Sequence, residues 1–334
     1  MSLFAGGGSL FAQEIRWRTE FVFYGDNTEF AHFFRVGETI LGAQLKTFLD
    51  LQLGPRTSVE AGLFVDHRDG AEKFFDPVKP ILSFRYRSDT SLGVLGTLET
   101  RDRHGYLEPL EVTTLELTRP IEYGLQWIES RPRFHADLYL NWQHLNTSTS
   151  REIFDYGGVL SGDLSGWARL ETQLHGLHHG GQLFDVGPVT NNVVYGAGLR
   201  FHRETAAVGE TSLAAFELFS KGKPDPFVDT PTISGHGTYL KGSVSPARLF
   251  DLFAIWWVGK DFITNEGDHN YGSPGLDNSF YRADRKSQEL GLVKKFEIEK
   301  AIAFDGEVRL HRIEGRVEYS YRLVVHVPFE LKLR

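Results

Sequence analysis

The chain has 334 residues, 41% apolar and 24% charged, a composition that supports a folded core and excludes a disordered polypeptide. Acidic residues outnumber basic ones, 44 to 36, for a formal charge of −8, which argues against a nucleic-acid binder. Cysteine is absent, so disulfides, thiolate metal centres, iron–sulfur clusters and thiol nucleophiles are excluded.

The counts of 26 Phe, 12 Tyr, 6 Trp and 35 Gly against a single Met suit β structure. No window holds the ~18 apolar residues that a membrane-crossing helix needs. The mean hydropathy of −0.27 does not exclude a β-barrel, whose strands of ~9–11 residues are apolar on alternate positions only.

Residues 1–13, uncharged, small and apolar, end in Phe11-Ala12-Gln13. They read as the remnant of a secretory signal peptide over 1–12, cleaved after Ala12, ahead of a single domain over 13–334. From residue 14 onward strict alternation recurs, the mark of two-faced strands. In 14–24, Ile15, Trp17, Thr19, Phe21 and Phe23 share one face, while Glu14, Arg16, Arg18, Glu20 and Tyr24 share the other. In 40–53 a Leu-rich face opposes Gln44, Lys46, Asp50 and Gln52, with Ile40 and Phe48 as exceptions. Gly54-Pro55-Arg56 then turns the chain.

The scheme repeats. Leu82, Phe84 and Tyr86 oppose Ser83, Arg85 and Arg87; Leu92, Val94 and Leu98 oppose Thr97 and Glu99; Phe134 to Trp142 alternate with His135 and Asp137. Ala168, Leu170 and Leu174 oppose Arg169, Glu171 and His175, and Val193 to Phe201 oppose Arg200 and His202. The alternation is weaker over 212–220, 237–246, 249–260 and 287–298. It is longest at the end, where Val317 to Leu333 share one parity and Arg316, Glu318, Ser320, Arg322 and His326 the other. This makes about 16 strands, with roughly 14 to 18 allowed by the pattern. Short turns alternate with longer loops near 101–111, 145–157, 178–192, 221–236 and 262–286.

A soluble sandwich also has two-faced strands, and a soluble β-sandwich binding protein is the third reading. Two features favour a membrane. Arg and Glu mixed on one face would be costly in a narrow dry core. Aromatics near strand ends (Trp17, Phe23, Tyr24, Tyr86, Trp127, Trp142, Tyr195) suit the two lipid–water interfaces. The whole pattern resembles the Gram-negative outer-membrane β-barrels of the porin-like class. That resemblance implies a single all-β, antiparallel, up-and-down transmembrane barrel in the bacterial outer membrane. It also allows a homo-oligomer. Many such barrels end in an aromatic residue, whereas this sequence ends in Arg334.

The leading expectation is a channel for small polar solutes or ions. Its lining would be Arg16, Arg18, Glu20, Lys46, Asp50, Arg85, Arg87, Glu99, Asp137, Arg169, Glu171, Arg200, Glu318 and Arg322, with modest selectivity because the signs are mixed. The rival is a barrel whose charged side chains and long loops meet across the axis, acting as an enzyme or an envelope scaffold. No cofactor is expected, and no nucleic-acid partner.

Three local features bear on chemistry. His175-Gly-Leu-His178-His179-Gly-Gly could gather three imidazoles on a metal if the chain turns at the glycines; a lumen histidine beside two loop histidines is the plainer reading. His144 and Ser148 stand too far apart for a barrel-rim hydrolase pair and read as a polar loop. Asn265-Glu-Gly-Asp268-His-Asn270 lacks the spacing of a calcium loop. Its segment is long enough to fold into the lumen as a constriction.

Overall fold

The structure, a computed structural model, describes residues 14–334 apart from 182, 185, 186, 206, 207, 247–249, 277–279, 299 and 300. The expected signal remnant lies outside the described residues.

Alternation becomes strands throughout. The first four are β1 (Glu14–Glu29), β2 (Glu38–Gln52), β3 (Thr57–Arg68) and β4 (Val78–Arg87), and the next four β5 (Ser91–Thr97), β6 (Tyr123–Arg131), β7 (Phe134–His144) and β8 (Glu152–Asp163). They continue with β9 (Ala168–Gly180), β10 (Thr190–Thr205), β11 (Gly209–Gly222) and β12 (Ile233–Ser245). The last are β13 (Asp251–Lys260), β14 (Asp284–Ile298), β15 (Ile302–Ile313) and β16 (Arg316–Lys332). Each pairs antiparallel with its sequence neighbours, and β1 closes on β16 from Arg16↔Lys332 to Glu29↔Tyr319. The result is a closed all-β barrel, the architecture expected, and closure leaves no strand edge unpaired.

Turns between even- and odd-numbered strands are short. The other rim carries the long connections 30–37, 69–77, 98–122, 145–151, 181–189, 223–232 and 261–283. On that rim only the turn Glu314-Gly315, between β15 and β16, is short. Two loop boundaries differ from expectation. Strand β8 already begins at Glu152, and β9 runs straight through the histidines to Gly180, because both extend ladders that their neighbours hold in register.

The outer face is apolar. Trp17, Phe21, Phe23, Leu125, Trp127, Leu138 and Tyr195 are each 41–55% exposed, a wall suited to hydrocarbon. Tyr24 keeps to the polar parity and leaves the set of interfacial aromatics: it faces inward, 2% exposed, and its hydroxyl donates to Asp66 at 2.9 Å. A cavity of about 570 Å³ lies on the outer wall where β5 has only 7 residues, lined by Phe84, Leu95, Leu125, Trp127 and Leu138.

A barrel of this size leaves a wide interior. Here two connections fill it. Segment 98–122 contains a short 3-10 turn, Arg101–Gly105, and one helical turn, α1 (Leu115–Thr118). Its Leu107 and Leu110 join Phe262 and Tyr271 of segment 261–283 in one core with the inward-facing Val94, Val194, Phe216, Leu218, Tyr239, Phe253 and Trp257. Trp257 lies flat enough over Gly237 that a Cβ there would meet its ring at 2.1 Å. Part of the lumen is therefore an apolar core and not the charged water channel of the leading expectation. The two exceptions in β2 pack into two smaller apolar clusters of their own. Ile40 packs with Tyr24, Leu117 and Val324, and Phe48 with Phe64, Ile81 and Ile121.

Candidate functional site in the loop-filled lumen

The charged residues expected to line a pore point inward, but nearly all are committed to partners. Arg16 pairs with Glu14 and Glu330, Arg18 with Asp50 at 3.5 Å and Glu330 at 3.0 Å, and Glu20 with His326 at 3.0 Å. Arg85 bridges Glu60 at 2.8 Å and Glu99. Arg169 pairs with Asp163, and Glu171 holds Arg200 through two contacts of 2.8 and 2.9 Å. Lys46 lies over the Phe48 ring, and Arg87 is exposed at the short-turn rim.

Others hold the inserted segments. Asp137 on β7 receives His104 at 3.0 Å, and Glu122 meets the other ring nitrogen at 3.1 Å. Burial opposes charge on His104, yet these two hydrogen bonds outweigh it and push its pKa up to about 10. Arg322 on β16 holds Asp26 and reaches Thr113 O at 3.2 Å and Glu116 at 3.3 Å. Glu318 receives the Ala31 N–H at 2.9 Å and lies 3.2 Å from His32 Nε2. Burial lowers the His32 pKa despite Glu318.

The segments also meet each other across the axis. Val112 N–H donates to Glu266 O at 2.9 Å, Thr264 Oγ1 to Pro109 O at 2.8 Å, and Asp268 N–H to Glu108 O at 2.8 Å. Glu108 accepts from the Tyr239 hydroxyl at 2.7 Å and from Lys241 at 3.0 Å, on the far wall. Arg119 clasps Glu266, and Arg35 clasps Asp268. The Asn265–Asn270 run is thus a folded loop inside the lumen, as its length suggests.

A polar cavity of about 20 Å³, room for about one water, lies between β1, β15, β16 and these segments. Asp26, Thr28, Arg35, Thr113, Asp268, Arg309, His311, Ser320 and Arg322 line it. Here three adjacent strands place a serine, a histidine and a carboxylate together. Glu289 and His311 are cross-strand partners, and Ser320 sits diagonally from His311. Ser320 Oγ is 2.9 Å from His311 Nε2, and His311 Nδ1 is 3.6 Å from Glu289 Oε2. The Tyr271 hydroxyl fixes Glu289 Oε1 at 2.6 Å, and Phe30 meets the His311 ring edge-on at 5.0 Å. A serine hydrogen-bonded to a histidine base is the core of an activated nucleophile; the third contact is open here, since His311 Nδ1 is buried without a hydrogen-bond partner, and such contacts tighten when substrate binds. The guanidiniums of Arg309 and Arg322 supply positive charge beside it.

Ser320 stands on the expected polar parity, but the constellation was not visible in sequence. Its members lie on three strands, and only the register of β14, β15 and β16 unites them. The three histidines do not converge, because the strand continues through them. His175 and His179 face the lumen, while His178 bonds Asn191 at 2.7 Å on the other side. His144 ends β7, and Ser148 lies in a loop organised by Thr147 and Ser150.

Similar architectures occur in solved structures. The chain resembles a loop-deleted OmpT of Vibrio cholerae with a TM-score of 0.58 at 7% identity, covering 94% of this chain and 99% of that one. It resembles OprD of Pseudomonas aeruginosa at 0.54 and 12%, covering 97% of each, and OccAB1 of Acinetobacter baumannii at 0.55 and 8%, covering 98% and 99%. Among curated proteins, none matches. A closed antiparallel barrel with an apolar exterior and these likenesses defines a transmembrane β-barrel of the outer-membrane type. The model of the lipid A 3'-O-deacylase-type family matches residues 9–334, and the chain belongs to that family.

Proposed function

We propose that this protein resides in the bacterial outer membrane and hydrolyses an ester-linked acyl chain of a lipid A-type glycolipid, with Ser320 as nucleophile. The observation that carries this reading is the Ser320–His311–Glu289 alignment beside a cavity, in a chain of the lipid A 3'-O-deacylase-type family. Ser320 Oγ attacks the ester carbonyl as His311 Nε2 takes its proton. The C–O bond to the sugar then breaks, and His311 returns the proton to the departing alkoxide. Water, activated by the same imidazole, cleaves the acyl-serine and releases the fatty acid. Arg309 and Arg322 favour the oxyanion that develops at the carbonyl.

The rim supports access from lipid. It is lowest at Glu314-Gly315, a few residues above His311 and Ser320, and there Val317, Tyr319 and Tyr321 are exposed on the outer wall. A glycolipid in the adjoining leaflet would meet the barrel at that point, and the cavity would widen by displacement of segment 30–37.

A second reading is a tightly constricted channel, which the wide wall and inward charges favour. Homo-oligomers remain compatible with either. The two readings separate on one folded, detergent-extracted preparation. The expected result is fatty-acid release from lipid A with silent planar bilayers. Reproducible conductance steps without release would overturn the hydrolase in favour of the channel.

A further inference from the structure

Away from Ser320, a second cluster joins segment 261–283 to the opposite wall. Asp155 on β8, His175 on β9 and Glu266 on the inserted segment bring three ligand atoms within 4.8 Å of one another. His175 Nε2 lies 3.2 Å from Glu266 Oε2 and 3.8 Å from Asp155 Oδ2. We propose that Asp155, His175 and Glu266 bind one divalent transition-metal ion of the zinc class, which clamps the inserted segment to the wall.

Three observations support it. First, the spacing fits. Ligands at ~2.1 Å around a tetrahedral ion stand roughly 3.4 Å apart, between the two distances found. Second, each carboxylate is oriented by its other oxygen. Asp155 Oδ1 accepts from Asn141 Nδ2 at 2.8 Å and Gln143 Nε2 at 2.7 Å. Glu266 Oε1 accepts from Gln143 Nε2 at 3.0 Å and from Arg119. Such outer partners hold ligand groups in metal centres. Third, two of the three atoms aimed at the centre are unsatisfied. His175 Nε2 and Glu266 Oε2 are buried without a hydrogen-bond partner, and the side chains of Asp155 and His175 are 1% and 2% exposed. A single N–H can serve one oxygen, whereas a cation serves all three ligands. One nitrogen with two carboxylates suits zinc, cobalt or manganese and falls short of the 6–8 oxygens that calcium takes.

The test uses the full-length, folded protein in detergent, stripped with chelator and titrated with Zn²⁺ by calorimetry and with Co²⁺ by visible absorption. The expected result is one ion per chain, the intense band of four-coordinate Co²⁺, and a higher melting temperature with metal than without. His175→Ala should weaken binding by at least about 100-fold, and Gln143→Ala by about 10–100-fold through the carboxylates it orients. Asp155→Asn, which keeps the Oδ1 acceptor, serves if the histidine variant fails to fold. No heat with folded wild-type protein at millimolar Zn²⁺ would mean that the three groups share a proton and would overturn the site. Binding unchanged in both His175→Ala and Asp155→Asn would place the ion elsewhere and overturn it equally.

Discussion

Ser320 and His311 are each one side chain on a long ladder, and their chemistry arises from what the register sets beside them. Ser320→Ala removes the nucleophile and leaves a hydroxyl-sized gap, so the barrel should fold unchanged while fatty-acid release falls by about 10³-fold or more; release is read by mass spectrometry, and folding by the heat-modifiable mobility of the barrel. His104 gives a pH prediction. Its folded pKa of about 10 exceeds the ordinary 6.5, so the stability it adds is fully present below pH 6.5 and is lost as pH rises through 10. Apparent melting temperatures of wild type at pH 6 and pH 10 should therefore differ more than those of His104→Gln, and equal differences would refute the anchoring role.

The inserted segments are the elements that fill much of the interior of a wide barrel. Segment 98–122 is fixed by Gln44 to Leu117 O at 2.7 Å, by Gln173 to Leu107 N–H at 3.0 Å and by Tyr106 to Leu174 O at 2.7 Å, contacts on walls far apart around the barrel. Leu110 is 0% exposed within this core, so Leu110→Ala should cost about 2–5 kcal/mol, measurable as earlier chemical unfolding in detergent. Deleting 265–272 from segment 261–283 should remove the Glu266, Asp268 and Tyr271 contacts and raise ion conductance above that of the intact chain; a deletion variant with unchanged conductance would show that this segment does not by itself restrict the lumen. The wall strands were legible from period-2 alternation, because lipid and lumen demand opposite side chains. The plug was not, because segments 98–122 and 261–283 carry no periodicity. The signs in the sequence were the length of the 262–286 loop, enough to enter the lumen, and the apparent flaws Ile40 and Phe48, apolar residues on the polar face that receive Leu117 and Ile121.

At the scale of the whole molecule, an apolar wall surrounds an interior that is partly apolar core and partly paired charge. The wall predicts that an outward Leu125→Arg should destabilise the inserted barrel by about 2–4 kcal/mol if it lies near the midplane, whereas inward charges tolerate exchange only with their partners. Arg85 beside Glu60 and Glu99, or Arg200 beside Glu171, looked in sequence like a row of free lining residues, since pairing depends on register and not on composition. The same dependence hid Glu289, His311 and Ser320. If this interior holds an activated serine, covalent labelling will find it. The folded protein, treated with an alkyl fluorophosphonate and mapped by peptide mass spectrometry, should carry the label on Ser320, and His311→Asn should abolish it. A folded protein that releases fatty acid yet is labelled elsewhere, or not at all, would contradict the account.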